Sequence, residues 1–81
     1  MPRGAYEPGD TWRLDRAGLA YAMRHAGITT CAQLARASGV SEKVVDNLIV
    51  GRTDRPSAGT LCSLAMALGV DALDLMEEVT R

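Results

Sequence analysis

The stretch Cys31-Ala32-Gln33-Leu34-Ala35-Arg36-Ala37-Ser38-Gly39-Val40-Ser41-Glu42-Lys43-Val44-Val45-Asp46-Asn47-Leu48-Ile49-Val50 decides the fold. Counted from Cys31, Ala35 is the fifth residue, Gly39 the ninth, Val45 the fifteenth and Leu48 the eighteenth. Two short helices that cross steeply need a small side chain at the crossing point, and Ala35 supplies it. The tight turn between them needs a positive φ, which Gly39 adopts without a Cβ penalty. Val45 and Leu48 then face inward, so that the second helix seats on Leu34 and Val40.

Such a unit is a helix-turn-helix, whose second helix is the one that enters a DNA major groove. Its start carries Thr30 and Gln33 at capping-box spacing, Ser41 is the expected cap of the second helix, and Gly51 its stop. Working outward, Leu19, Ala22, Met23 and Ala26 make one apolar stripe on a helix from about Asp15 to Ala26, stopped by Gly27. Trp12 and Leu14 either extend that helix backward or pack across its start. The polar run from Arg52 to Ser57 reads as a loop. A helix follows with Leu61, Leu64, Ala65 and Leu68 inward and Gly69 as its stop. Asp71 caps a fifth helix, in which Ala72, Leu75 and Val79 form the inward stripe. No run shows sustained period-two alternation, so the expected fold is all-α, a compact five-helix bundle. Residues 1–10, with Pro2, Gly4, Pro8 and Gly9, read as a flexible arm ahead of one domain over residues 11–81.

Composition narrows the function classes. The 81 residues carry nine Lys+Arg against ten Asp+Glu, a net charge of −1, which excludes a basic tail that binds polyanions by bulk charge. That charge is unevenly placed: residues 1–70 hold eight bases and six acids, whereas residues 71–81 hold four acids and one base. A mildly basic body is therefore paired with an acidic end. At 47% hydrophobic the chain is not of disordered composition. It has no apolar run of bilayer length and no apolar leader near its start, so a soluble, cytoplasmic protein is expected. One histidine, His25, and two cysteines, Cys31 and Cys62, without a C-x-x-C pair cannot assemble a zinc cage. The cysteines read as small buried side chains in helices, with a redox or thiol role as the alternative. No metal, cofactor or small-molecule ligand is expected. An enzyme is not expected either, because no nucleophile–base set or Gly-rich phosphate loop is present.

The chain resembles the phage repressor and Cro family of helix-turn-helix regulators, the xenobiotic-response-element type. The resemblance is carried by Met23-Arg24, Gly27-Ile28, Leu34-Ala35, Gly39-Val40-Ser41, Val45, Leu48, Gly51, Pro56-Ser57, Thr60-Leu61, Leu64-Ala65, Ala67-Leu68-Gly69-Val70 and Leu75. The resemblance covers roughly residues 19–76, most of the chain. The resemblance implies a lambda-repressor-like five-helix bundle of bacterial or phage origin, acting on operator DNA as a transcriptional regulator, often as a dimer. Two departures stand out. Cys31 occupies the place where the family often has a phosphate-contacting glutamine, and the expected recognition helix holds two acids, Glu42 and Asp46, against one base, Lys43.

On that reading the outward residues at the start of the recognition helix reach base edges: Glu42, Lys43, Val44 and Asn47. Lys43 donates to guanine, Asn47 pairs with adenine, Val44 meets a thymine methyl and Glu42 accepts from cytosine N4. Phosphate contacts are expected from Thr30, Arg36, Ser41, Arg52, Arg55 and Ser57, by side chains or by helix N-terminal N–H groups. Arg13 and Arg16 read as surface charges. Leu73 and Met76, on a neighbouring face of the fifth helix, form a self-association stripe, so the expected partners are double-stranded operator DNA and a second copy of the chain. The alternative is a protein–protein interaction module or antirepressor-like adaptor on the same fold, to which an acidic, apolar recognition face is suited.

Overall fold

Local chemistry at the ends of the central helices sets their frame. The computed structural model describes residues 12–79, so the arm expected over residues 1–10 lies outside the described residues. The elements in order are β1 (Trp12–Leu14), α1 (Arg16–His25), α2 (Cys31–Ser38), α3 (Glu42–Val50), α4 (Ala58–Leu68), a 3-10 turn (Ala72–Leu75) and β2 (Met76–Glu78). The α2 start is a capping box: Gln33 N–H donates to Thr30 Oγ1 at 3.1 Å, and Thr30 N–H donates to Gln33 Oε1 at 3.2 Å. Ser41 and Ser57 cap α3 and α4, each hydroxyl oxygen accepting a backbone N–H three residues on, at 3.2 Å. Gly39 and Gly51 close α2 and α3 at φ +78° and +87°, where a Cβ would be strained. Ser38 ties the intervening turn, donating to Leu34 O at 2.7 Å while accepting from Val40 N–H.

The inward stripes meet in one core. Leu19, Ala22, Met23, Leu34, Val45, Leu48, Leu61, Leu64, Ala65, Leu68 and Leu75 are all buried, as the periodicity requires. Full burial of each leucine stabilises the fold by about 1.5–3 kcal/mol. Ala26, expected on the α1 stripe, is instead exposed at its C-cap. α2 packs on both α3 and α4, which fixes how α3 is presented outward.

The chain end corrects the all-α, five-helix expectation. Among the described residues four α-helices form, and the segment expected as the fifth becomes a single 3-10 turn followed by a strand. Met76 is extended, at φ −115° and ψ 144°. β2 pairs antiparallel with β1 in the register Trp12↔Glu78, Arg13↔Glu77 and Leu14↔Met76. The cause is tertiary. Trp12 and Leu14 alternate with exposed Arg13, so that a three-residue strand buries two large side chains. Arg13 Nε meets Glu77 Oε2 at 2.7 Å across the ladder. Asp15 N–H donates to Leu75 O at 2.9 Å, continuing the pairing into the turn. A Cβ on Gly18 would lie 3.1 Å from Asp74 O, so glycine there lets α1 approach this end closely. Of the two options for Trp12 and Leu14, packing across the start of α1 is the one observed.

Candidate nucleic-acid interface

α3 presents an uneven face to solvent. Glu42, Lys43 and Val44 in its first turn are exposed, whereas Asp46 and Asn47 one turn on are half-buried. Val44 is an apolar group held in water, 38% exposed, beside the exposed Lys43. Around this face, Arg36 at the end of α2 and Arg52 and Arg55 in the α3–α4 loop are exposed, as are Thr30, Ser41 and Ser57 at three helix starts. The three hydroxyl oxygens accept as caps, so these positions offer an anion the N-terminal end of each helix, joined at Thr30 and Ser41 by the hydroxyl's own O–H donor. The Ser57 hydroxyl also donates to Thr60 Oγ1 at 3.0 Å.

Asp46 does not face outward as a bare acid. Its Oδ1 lies 3.8 Å from the Cys31 Sγ donor at the start of α2, and its Oδ2 accepts from Arg52 Nη1 at 3.4 Å. Burial, with the Asp46 and Glu42 carboxylates adding to it, raises the Cys31 thiol above its ordinary pKa, keeping it a protonated donor to Asp46. Arg52 Nη1 also donates to Asn47 Oδ1 at 3.0 Å. One carboxylate thus links both helices of the motif to the loop that follows them.

Arg16, read from the sequence as a surface charge, has a different place. Its Nη2 donates to Ile49 O at 2.9 Å, at the carbonyl-rich end of α3 where a cation is favoured. A Cβ on Gly51 would stand 2.9 Å from Arg16 Nη1, so the glycine both turns the chain and clears room for the guanidinium. Nothing in local spacing signals this, because the two groups are 33 residues apart. The same holds for Cys31 and Asp46, 15 residues apart.

Leu73 and Met76 do not share a helical stripe. Leu73, on the 3-10 turn, is 74% exposed, while Met76 in β2 is half-buried against the core. Among the described residues no three His, Cys, Asp or Glu side chains cluster as a metal site, and no helix is long and apolar enough to cross a membrane.

This geometry defines a class: two capped helices joined by a glycine turn, the second with its first turn exposed and its inward side chains in the core, make a helix-turn-helix. The family model describing the Cro/C1-type HTH DNA-binding domain matches residues 19–80. The chain belongs to this Cro/C1-type helix-turn-helix family, whose partner is double-stranded DNA. No curated protein and no solved structure matches the chain.

Proposed function

We propose that this protein is a sequence-specific transcriptional regulator of the Cro or small-repressor kind, cytoplasmic, which lays α3 in the major groove of an operator. The observation that carries this reading is the exposed first turn of α3, with Glu42, Lys43 and Val44 outward and the inward Val45 and Leu48 locked to the core. In this reading Lys43 donates to guanine O6 or N7, Val44 meets a thymine methyl, Glu42 accepts from cytosine N4, and Asn47 completes the set. Arg36, Arg52 and Arg55, with the helix starts at Thr30, Ser41 and Ser57, hold the phosphates. Homodimerisation would use Leu73, the outward apolar side chain of the chain end, with Met76 contributing only its exposed part.

The protein-binding alternative drew on the acidity of α3. The bonds from Cys31 and Arg52 to Asp46 favour the DNA reading, because they partner one of the two acids of this helix within the protein. Selection of bound fragments from native genomic DNA tests the proposal. The wild-type chain is expected to enrich a discrete site, and Lys43→Ala and Asn47→Ala to retain binding with relaxed preference at separate positions. Recovery of no enriched sequence would end it.

A further inference from the structure

The hydrogen bonds around Asn47 carry the proposed readout further than the sequence does. A guanidinium has donors only, so the amide atom facing Arg52 Nη1 at 3.0 Å is the acceptor Oδ1. The amide NH2 is consequently turned away from Arg52. Arg52 is itself steadied by a second acceptor, Asp46 Oδ2, at 3.4 Å from the same Nη1. Asp46 in turn is held against α2 by the Cys31 thiol.

We propose that Arg52, braced by Asp46, is a positioning residue that presets the Asn47 amide with its NH2 as the reading group, so that Asn47 selects guanine rather than adenine. The inference rests on the DNA-binding reading above. Bidentate recognition of adenine requires Oδ1 to accept from N6 while Nδ2 donates to N7. Here Oδ1 is already shared with a cationic donor, whose charge opposes the partly positive adenine amino group. Guanine presents acceptors at both O6 and N7. Those acceptors match an NH2 donor and are drawn by the neighbouring guanidinium. Arg52 therefore does more than neutralise a phosphate, because it sets which base its neighbour reads.

The test is selection from random duplexes with four proteins: wild type, Asn47→Ala, Arg52→Ala and Arg52→Lys. Circular dichroism confirms that each variant is folded, which the exposure of Arg52 makes straightforward. The base pair whose preference Asn47→Ala relaxes is the one facing Asn47. There the wild type is expected to favour guanine over adenine by about tenfold, within the usual range for one good base contact. Arg52→Ala is expected to abolish or invert that preference at this one position, and Arg52→Lys, which still donates, to keep part of it. Adenine at that position in the wild type overturns the inference alone. So does a uniform loss of affinity in Arg52→Ala with every base preference intact, which marks a phosphate contact only. Enrichment of no sequence by the wild type overturns the DNA reading, and this inference with it.

Discussion

The helix-turn-helix unit and the chain end are held in place by different kinds of contact. In α2 and α3 the bonds that set the frame are local: the Thr30–Gln33 box, the Ser41 cap, the Ser38 ties and two left-handed glycines. In the β1, 3-10 and β2 region the defining contacts join residues sixty or more positions apart, such as Arg13 to Glu77 and Asp15 N–H to Leu75 O. A loop also serves this region, since Leu14 N–H donates to Asp54 O at 2.6 Å. The frame of the reading helix is thus set mainly by its own neighbourhood, with Arg16 at its C-terminal end as the long-range contact, and the far end of the molecule is closed by the fold as a whole.

The largest test of that contrast is a pair of core truncations. Leu34→Ala and Leu75→Ala both empty fully buried sites, and each is expected to cost about 2–5 kcal/mol. Urea midpoints measure both, and a loss below about 1 kcal/mol for Leu75→Ala would make the chain end a mere appendage to the core.

A second pair separates backbone strain from contact. Gly39→Ala and Gly51→Ala each force alanine into left-handed backbone, at about 1–2 kcal/mol. Gly51→Ala is expected to cost about 1 kcal/mol more, because its Cβ displaces Arg16 from Ile49 O, whereas nothing crowds Gly39. Equal losses in thermal or urea unfolding would remove Arg16 from the account of how α3 ends.

Thr30→Ala comes next, with a loss of about 1 kcal/mol from the α2 cap. The smallest effect is expected from Arg13→Ala. Its ion pair with Glu77 is half-exposed, so about 0.2–1 kcal/mol is lost, and less in high salt. A salt-insensitive loss of several kcal/mol would mean that β1 is held by this pair rather than by Trp12 and Leu14.

The same contrast governs what the sequence disclosed. The four α-helices, the capping residues and the inward faces, Ala26 excepted, were legible because caps, glycines and the 3.6-residue period act within a few residues of one another. Trp12-Arg13-Leu14 is too short to display an alternation, and its strand partner lies at the opposite end of the chain. The stripe of Ala72, Leu75 and Val79 located Leu75 in the core correctly, yet a buried leucine does not say whether the chain beyond it is helical or extended. In the candidate interface the outward Glu42, Lys43 and Val44 followed from helical position. Asp46 did not, since its orientation depends on Cys31 across the motif and on Arg52 beyond the helix end.

The central claim is that α3 reads DNA with support from nearby cations. The most direct measurement is a salt titration of binding to the selected site and to a scrambled duplex of equal length. The three arginines proposed to hold phosphates, Arg36, Arg52 and Arg55, predict a slope of log affinity on log salt of about −2.7 per monomer and roughly twice that for a dimer, with the selected site bound more tightly throughout. Equal affinity for both duplexes, or a slope near zero, would contradict the account.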